Sequence, residues 1–523
     1  MGSVVGKRIN GRTYYYFVES ARVDGRPRIV AQRYLGSAEE IAAAVDGGGG
    51  MPESTRQLTF GDSAAVWGTL ERLQVAPAID EIVGRRKVSV GRYLALAVLQ
   101  RAVAPCATLA DWWAETAAER FIRPRFAAET VRDEQFWQVT RRLTRTQLER
   151  IEEEVVSHIR LDAPVTLAVD IPNFATYAES DTADAALAGL SAVVTRDGAI
   201  PLVSHVYQRG VPFGVAASRL AARHRGEVTV VFDAGQQAQL DLDAGRHFVG
   251  ALPLADFPEL LVRPASVRRP VDPDRFAGLT ALDTHATVSG VRRRVVLTHS
   301  ARLHAAQVRG FAQALSTATR QLDGLALALE AGTNRRTREQ LLTELARITR
   351  VRWVDRVLTA RLTGGKPGEL RLEYRIDEAA RARLDEELFG KQLLVTDHDD
   401  WSVLDVITAY RARYHLDSTF RMFHGSFVAA PAPRWDWTEQ RIAVHSLVST
   451  LAAAVTHLMR QEADRAGLDL SVRELLEQLS RIGETVLRYP STGGRPRTRR
   501  VLTSLSGSQR QLFELFNLEA YAP

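Results

Sequence analysis

Five short apolar runs between residues 165 and 254 constrain the fold of this chain most strongly. They are VTLAVDI, ALAGLSAVV, IPLVSHVYQ, EVTVVF and HFVGALPL. Runs of this length and composition predict β-strands. Some of these runs are separated by helical stretches. This pattern is typical of a mixed or parallel sheet that is buried on both faces. The sequence therefore predicts an α/β core built around such a sheet.

The charge balance indicates which partners the protein can have. The chain of 523 residues carries 68 basic and 62 acidic residues, a net charge of +6, and all but four of the basic residues are arginines. Arginine makes planar, bidentate contacts with phosphate groups. The composition is therefore compatible with a polyanionic partner such as nucleic acid.

Cysteine content and apolar runs indicate the compartment. Cys106 is the only cysteine, which excludes an intrachain disulfide and a Cys-rich zinc site and favours a reducing cytoplasm. Residues 1–17 lack the apolar run of a signal peptide. The longest apolar stretch, residues 442–459, contains two histidines and several hydroxyl side chains, so it predicts a buried core helix rather than a membrane span.

Changes of pattern along the chain predict its organisation. Aromatic strand-like runs with Asn-Gly and Asp-Gly turns come first, a helical stretch follows, and the apolar strands come next. A later region mixes long helical patterns with strand-like runs. The predicted segments are an N-terminal β module (1–45), a helical domain (60–161), the first part of the core (162–264), an inserted α+β subdomain (265–395), the second part of the core (396–440) and a C-terminal helical region (441–523).

Two of the apolar strands end in an acidic residue. Asp170 ends the strand in VTLAVDIPNF, and Asp233 ends the strand in VTVVFDAGQQ. Such residues lie at the carboxyl edge of a sheet, where active sites of open α/β sheets form. Each acid could instead cap a following helix. Two neighbouring carboxylates repel each other, and a hard cation such as Mg²⁺ relieves the repulsion.

A helix predicted from about residue 403 carries a third acid, and Asp400 or Ser402 is its expected N-cap. At about 100° per residue, four polar side chains fall within roughly 60° of one another. They are Tyr410, Arg413, Asp417 and His424. Apolar residues lie close to this stripe, so the face is partly buried, and a buried Arg and Asp need partners. An i,i+4 ion pair between Arg413 and Asp417 is the simpler interpretation of the same spacing.

In this order the motifs resemble those of DDE transposases of bacterial insertion sequences. The resemblance is to the branch with the signature Tyr-x2-Arg-x3-Glu-x6-Lys and a long insertion before the third acid. Here the signature is Tyr410-x2-Arg413-x3-Asp417-x6-His424. Asp170-Ile-Pro-Asn-Phe is similar to the first-acid strand with its T-N-F-like run, and Phe-Asp233-Ala-Gly to the second-acid motif F-D-x-G. The resemblance spans most of the chain, including NGRTYYYFVES and WTEQRIAVH.

The resemblance implies a fold and a chemistry. The fold is an RNase H-like (retroviral-integrase-like) α/β core with an inserted α+β subdomain, an N-terminal β module and a helical domain. The gap between Asp233 and Asp417 is long enough to hold that insertion. The chemistry is two-metal phosphoryl transfer on DNA, with Asp170, Asp233 and Asp417 as catalytic ligands of two Mg²⁺ ions, for which Mn²⁺ can substitute. By the same resemblance, Tyr410, Arg413 and His424 would hold DNA phosphates.

The resemblance also implies partners. The helical domain and the β module would bind terminal inverted repeats in double-stranded DNA through backbone and groove contacts, and the core would act on those ends and on target DNA. Cleavage at paired ends implies a homodimer on DNA. The expected location is the bacterial cytoplasm, at the nucleoid, with no membrane partner.

Two departures from the signature define the alternatives. The third acid is Asp417 rather than Glu, and His424 replaces Lys, which removes a fixed positive charge at neutral pH. These changes favour a second hypothesis, a decayed or domesticated transposase that binds DNA without cutting it. A third hypothesis is another RNase H-like nuclease, such as a junction resolvase, although the insertion and the Tyr/Arg stripe argue against it. The scattered histidines, including His247 and His304, show no ligand-like spacing and predict no zinc site.

Overall fold

The computed structural model describes residues 2–9, 12–23, 26–38, 40–41, 51–84, 86–159, 165–174, 188–208, 220, 227–234, 242, 245–365, 369–429, 438–489 and 497–523. The chain forms two compact units. Unit 1 contains residues 1–80, 85–141 and 462–523, and unit 2 contains residues 81–84 and 142–461. The functional roles and boundaries predicted for the six segments of the chain stay predictions.

The strands of the described residues, in chain order, are β1 (Gly2–Ile9), β2 (Arg12–Val23), β3 (Arg26–Ser37), β4 (Ser54–Thr59), β5 (Thr166–Phe174), β6 (Ala188–Thr195), β7 (Pro201–Gln208), β8 (Val228–Phe232), β9 (Phe248–Leu252), β10 (Arg269–Pro270), β11 (Leu279–Val288), β12 (Val291–Ser300), β13 (Leu358–Thr363), β14 (Arg371–Ile376), β15 (Lys391–Thr396), β16 (Gly483–Tyr489) and β17 (Arg497–Leu502). Each of the five short apolar runs predicted as strands forms one of the strands β5 to β9.

The helices of the same residues are α1 (Gly61–Arg72), α2 (Val75–Val83), α3 (Val90–Val103), α4 (Leu109–Glu115), α5 (Ala118–Phe121), α6 (Asp133–Thr140), α7 (Arg145–Ser157), α8 (Pro258–Leu261), α9 (Ala301–Glu330), α10 (Arg338–Thr349), α11 (Glu378–Glu387), α12 (Val403–Ala429), α13 (Glu439–Arg465), α14 (Val472–Ser480) and α15 (Gly507–Leu515).

Unit 1 combines two small sheets with a group of helices. Strands β1, β2 and β3 form an antiparallel sheet, and β4 pairs with β16, which pairs in turn with β17. Helix α1 packs against α3 and α14. The Glu484 carboxylate of β16 is fully buried, and it forms ion pairs with Arg120, at 2.8 Å, and with Arg500. These ion pairs join β16 to β17 and to α5.

Unit 2 is built on a mixed sheet of nine described strands. Their order is β10-β11-β12-β15-β9-β8-β5-β6-β7. Strands β5, β8 and β9 are parallel to one another, whereas β6 and β15 run antiparallel to their neighbours in this group. Helix α12 packs against β5, β8, β9 and β15. The prediction of a mixed α/β core with a buried sheet is confirmed.

Close packing inside the sheet requires a glycine in β9. Val230 and Phe232 lie in one apolar cluster with Phe248 and Leu252, while Val231 between them is also fully buried. Phe232 pairs directly with Gly250. A Cβ atom on Gly250 would lie 2.0 Å from the Phe232 ring, so only glycine leaves room for that ring.

The predicted insertion has an apolar core of its own. Side chains of α9, α10, β13 and β14 pack around Leu322 and Phe389. Other strands of the same region, β11 and β12, extend the large sheet by pairing with each other and with β15. The insertion therefore contributes both to the sheet and to a separate cluster.

Helix α13 is long and apolar enough to cross a membrane by length and composition alone. Most of it is buried in the protein, including 89% of its most apolar window. Burial of this extent is what a core helix of a soluble protein also shows. Its polar residues, among them Ser449, Thr456 and His457, are buried as well.

The prediction that residues 441–523 are helical is wrong in part. Residues 483–489 and 497–502 form β16 and β17, and β16 pairs with β4, a strand that was not predicted. The run GETVLRY carries strand-forming residues, but its partner lies at the other end of the chain. Periodicity reports local structure, and it contains no information on pairing between segments so far apart.

Candidate active site

The first two predicted acids belong to adjacent parallel strands. Strand β5 pairs with β8 from Thr166 opposite Val228 to Ala168 opposite Val230. The backbone of Asp170 lies two residues beyond this ladder, opposite Ser191 of β6, and Asp233 directly follows β8. Asp233 therefore lies at the carboxyl end of β8, whereas Asp170 lies inside β5, which continues to Phe174, so the prediction that Asp170 ends its strand is wrong. The two strands are neighbours, about 4.8 Å apart. The Asp170 side chain is outside the described part of the structure.

Two side chains of α12 bond to the Asp233 carboxylate. The Tyr410 hydroxyl donates to Oδ1 over 2.9 Å, and Nη1 of Arg413 lies 2.9 Å from Oδ2. The Ala234 N–H also donates to Oδ1, over 3.0 Å. The hydroxyls of Tyr410 and Tyr414 are 2.9 Å apart. Residues at i and i+3 of a helix face the same side, so the spacing of the Tyr-x2-Arg motif lets both side chains reach one carboxylate.

These contacts fix the protonation of the group. Burial raises the pKa of Asp233, but the hydrogen bond and charge of Arg413 and the Tyr410 hydroxyl outweigh it, so the net pKa is below its ordinary value. Burial raises the pKa of Tyr410, and Tyr414 and Asp233 raise it further. Burial opposes the charge on Arg413, but Asp233 raises the pKa of this guanidinium overall. The site thus holds a carboxylate, a guanidinium cation and a neutral phenol.

The start of α12 is fixed by a reciprocal cap. Ser402 Oγ accepts the Asp405 N–H over 3.1 Å, and Asp405 Oδ2 accepts the Ser402 N–H over 3.1 Å. Ser402 is one of the two N-caps that the sequence predicts. Val406, Ile407 and Ala409 are buried on the helix. The cap and this apolar face set the rotation of α12, and with it the direction of Tyr410 and Arg413.

The third predicted acid is paired on its own helix. Asp417 forms an i,i+4 ion pair with Arg421, and 20% of its side chain is exposed, against 76% for Arg421. The simpler interpretation, an ion pair between Arg413 and Asp417, is wrong, because Arg413 pairs with Asp233 and Asp417 pairs with Arg421. Asp417 lies one turn, about 6 Å along the axis, beyond Arg413. His424 is part of α12, but its side chain is outside the described residues.

A buried histidine of α13 supports the middle of α12. His457 Nε2 lies 2.9 Å from Thr419 Oγ1, and its Nδ1 lies 2.9 Å from the Gly198 carbonyl oxygen. Arg460 donates to the same carbonyl over 2.7 Å. Burial, with the positive charge of Arg460, lowers the pKa of His457 to about 3. The neutral ring thus links α12 to the turn between β6 and β7, where Gly198 has φ +95°.

The described acids have the chemistry of a divalent metal site. Carboxylate oxygens are the ligands that Mg²⁺ prefers in proteins, and Asp233 is held in its ionised form. Arginine compensates both described carboxylates, Arg413 at Asp233 and Arg421 at Asp417. The Asp233 carboxylate could therefore serve as one ligand of a magnesium ion, which would compete with Arg413 for it.

A second group of potential ligands lies at the opposite edge of the sheet. His247, Asp397 and His398 offer ligand atoms that all lie within 4.8 Å of one another. His247 precedes β9 and Asp397 follows β15, which runs antiparallel to β9. This group was not predicted from the sequence, because its members come from segments 150 positions apart. The run DHDD after an apolar strand was the available signal.

Unit 1 contains an arginine-rich cleft of about 570 Å³. It lies between β4, β16 and the segment from α4 to the start of α6. Two acids, Glu119 and Glu129, also line it. The arginines that line the cleft are Arg56, Arg120, Arg125, Arg132 and Arg500. Arg120 and Arg500 are paired with the buried Glu484. The charge that remains to attract an anionic ligand is therefore on Arg56, Arg125 and Arg132.

Comparisons with known proteins find only distant structural similarity. It matches no protein-family model, and it matches no curated protein. Among solved structures it is similar to a piggyBac transposase in a synaptic complex with hairpin DNA. The TM-score is 0.32 and the identity 9%, over 82% of each chain. A TM-score this low does not establish a shared fold.

Proposed function

We propose that this protein is a DNA transposase of an insertion sequence, which binds terminal inverted repeats and performs metal-dependent strand cleavage and strand transfer. The observation that carries the proposal is the pair of bonds from Tyr410 and Arg413 to Asp233. These residues come from two motifs about 177 positions apart in the sequence. Both motifs resemble those of DDE transposases, and a single catalytic site requires that they meet.

The arrangement of strands supports an RNase H-like core. Two carboxylates can share metal ions about 3.5–4 Å apart only if they lie close together. Asp170 and Asp233 meet this requirement in their backbone positions, because β5 and β8 are parallel neighbours. Helix α12 packs on the same strands and carries Asp417. We therefore assign residues 162–264 and 396–440 to the catalytic core.

The three acids are proposed as ligands of two Mg²⁺ ions, with Mn²⁺ as a substitute. Such ions lower the pKa of an attacking water or 3′-hydroxyl and stabilise the leaving oxygen. In this proposal Arg413 keeps Asp233 ionised, and the Tyr410 hydroxyl orients its carboxylate. By the resemblance, Arg413 and His424 are proposed to hold phosphates beside the reacting bond. Tyr410, predicted for the same role, is buried and bonded to Asp233, so it is assigned to that carboxylate instead.

We assign DNA binding to the arginine-rich cleft of unit 1. Arg125 and Arg132 are exposed at its rim. Replacing both by Gln should weaken binding of the terminal repeats and make the salt dependence of binding less steep, by about one unit of slope for each phosphate that the protein no longer neutralises. Arg347→Gln is the control, since Arg347 is an exposed arginine paired with Glu344 outside unit 1. Equal salt slopes for wild type and double variant would exclude the cleft.

The remaining assignments concern assembly and location. Joint cleavage of two element ends requires two active sites, so the protein is proposed to act as a homodimer on DNA. The substrates are terminal inverted repeats and target DNA. The site of action is the bacterial cytoplasm, at the nucleoid.

One observation favours the alternative of a decayed transposase that only binds DNA. Asp417 is already paired with Arg421 on its own helix, and it is one methylene shorter than the Glu of the signature. An acid held in this way has less freedom to reach a shared metal ion. This alternative makes the same prediction for binding and the opposite one for cleavage.

The test is a cleavage assay with purified protein, Mg²⁺ or Mn²⁺, and a DNA fragment that carries the inverted repeats flanking the gene. The 3′-end cleavage and strand transfer of the wild type are compared with those of Asp170→Ala, Asp233→Asn and Asp417→Ala. An active transposase cuts and joins, and each of the three variants loses both reactions. Circular dichroism shows whether the variants remain folded.

The other outcomes separate the alternatives. Specific binding without cleavage by the wild type would point to the decayed form, and the double variant Asp417→Glu, His424→Lys would then show whether these positions are responsible. Cleavage without strand transfer would point to another RNase H-like nuclease. Full activity of Asp417→Ala would remove Asp417 from the site.

A further inference from the structure

The ligand group at the opposite edge of the sheet has three chemically suited members, His247, Asp397 and His398, which we call the histidine cluster. It lies where β9 begins and β15 ends, whereas Asp233 follows the carboxyl end of β8. Strand β8 is parallel to β9. The histidine cluster and the proposed magnesium site are therefore separated by the length of the strands.

The nitrogen and oxygen atoms that the cluster offers to a metal all lie within 4.8 Å of one another. His247 Nδ1 lies 2.9 Å from Asp397 Oδ2. His398 Nε2 is bonded to Thr229 Oγ1 over 2.9 Å, which leaves Nδ1 as the ring nitrogen available to a metal. That atom lies 3.7 Å from Asp400 Oδ1, too long for a hydrogen bond. Ligands of a tetrahedral ion with bonds of 2.0–2.1 Å are about 3.3 Å apart. The three ligand atoms, which lie within 4.8 Å of one another, would therefore have to close slightly around an ion.

The ligand side chains are held by further contacts. The Phe248 N–H donates to Asp397 Oδ1 over 2.8 Å, and the His398 ring stacks on His247, at 4.4 Å, and on Trp401, at 3.7 Å. An imidazole binds a metal in the plane of its ring, so the half-exposed His247 ring would turn out of this stack to share an ion with His398. His398 itself is buried. Metal ligands in proteins are usually oriented by such outer contacts.

The main chain beside the cluster is fixed as well. Arg294 Nη1 donates to the carbonyl oxygens of His398 and Trp401, over 2.7 and 2.8 Å. The same guanidinium pairs with Asp283. The segment that carries Asp397 and His398 is thus attached to the neighbouring hairpin of β11 and β12.

From this arrangement we infer that the histidine cluster binds one divalent transition-metal ion of the Zn²⁺ class. Two imidazoles and one carboxylate favour zinc, cobalt or nickel over Mg²⁺, which prefers oxygen ligands alone. Three protein ligands leave a position for water or for the Asp400 carboxylate. The bound ion would join the start of β9 to the end of β15, and the inference does not depend on the proposed transposase activity.

The test is a titration of the metal-free full-length protein with Co²⁺ and Zn²⁺. With excess Mg²⁺ present to fill the proposed acid site, we expect one Co²⁺ or Zn²⁺ ion per chain, a visible Co²⁺ absorption band and a rise in Tm with Zn²⁺. His247→Asn and Asp397→Asn should each lower the affinity tenfold or more. Asp397→Asn keeps an oxygen for the Phe248 N–H, so the backbone contact that this side chain makes is preserved. Circular dichroism verifies the fold of both variants.

Two histidines elsewhere in unit 2 provide controls, the exposed His285 and the partly buried His304. His285 lies on β11, and His304 pairs with Asp385 at 2.9 Å. Variants His285→Asn and His304→Asn should keep the Co²⁺ band and the Zn²⁺ effect on Tm. The inference is overturned if the wild type binds no ion, if the Asp397→Asn variant binds as tightly as the wild type, or if His304→Asn alone abolishes binding.

Discussion

The bonds around Asp233 show how one carboxylate can be set up by a helix that lies far away in the sequence. Tyr410 is almost fully buried, whereas 41% of the Asp233 side chain remains exposed. The carboxylate is therefore held from the protein side and open on the other. This combination suits a ligand that must be ionised, oriented and still accessible.

Removal of the Tyr410 hydroxyl tests its orienting role. In Tyr410→Phe the Asp233 carboxylate loses one of its donors, and we expect metal-dependent cleavage to fall by about 10- to 100-fold, as for other residues that orient a metal ligand. The matched control is Tyr414→Phe, which keeps the bond from Tyr410 to Asp233. Cleavage rates measured at saturating Mg²⁺ compare the two variants. An equal loss in both would assign the effect to packing.

His457 predicts a pH dependence of stability. Its pKa is about 3 in the folded protein and about 6.5 when unfolded, so the unfolded state binds more protons between these values. Stability from this group is complete above pH 6.5 and is lost as the pH falls toward 3, by about 2 kcal/mol at pH 5. Urea denaturation of wild type and His457→Asn from pH 5 to 7.5 should show a shallower dependence in the variant.

The matching control for this titration is the exposed residue His285. His285→Asn should have the same pH dependence as the wild type. If the stability of His457→Asn varies with pH as strongly as that of the wild type, the pKa of the buried His457 is not lowered in the folded protein.

The strands of the large sheet depend on a close approach between β8 and β9. Gly250→Ala would place a Cβ atom 2.0 Å from the Phe232 ring, and the ring directly precedes Asp233. We expect a loss of about 1–3 kcal/mol in unfolding free energy, the usual cost of overpacking. Gly324→Ala is the control, because nothing lies within 4 Å of its new Cβ atom. In the exposed middle of α9 that change should stabilise by roughly 0.5–1 kcal/mol.

These elements also show what the sequence could predict. The strands β5 to β9 and the start of α12 at Ser402 follow from local composition and capping, which act over a few residues. The pairing of β4 with β16 could not be read in this way, since both runs are short and partly exposed. The partner of Arg413 was equally hidden: its i,i+4 neighbour Asp417 is the local choice, but burial against the sheet offers Asp233.

Unit 1 is assembled from segments that are far apart in the sequence. Residues 1–80 and 462–523 belong to the same unit. Within it the buried Glu484 accepts bonds from Arg120 and Arg500, and Arg120 also donates to the Ala522 carbonyl. One carboxylate thus helps to hold the last residues of the chain in place.

Glu484 is therefore expected to be important for stability. Glu484→Gln leaves two guanidinium groups without their counter-ion, and the loss of one partner from a buried ion pair costs about 3–5 kcal/mol. Thermal and urea unfolding measure the change. Glu344→Gln, at the exposed pair with Arg347, should leave both unchanged. If both variants change the unfolding free energy by the same small amount, the buried charge of Glu484 is not needed for stability.

The antiparallel pairing of β9 with β15 has an evolutionary consequence. The chain departs from β9 after Leu252 and returns in β15 beside it, with Leu252 opposite Leu393. The entry and exit points of the intervening segment are thus a single strand spacing apart, about 4.8 Å. A tight hairpin could bridge the same gap, so an ancestral gene could have gained or exchanged this segment without disturbing the strands that carry the acids. A variant without this segment would lose β12, and β15 would become an exposed edge strand that must be protected from aggregation.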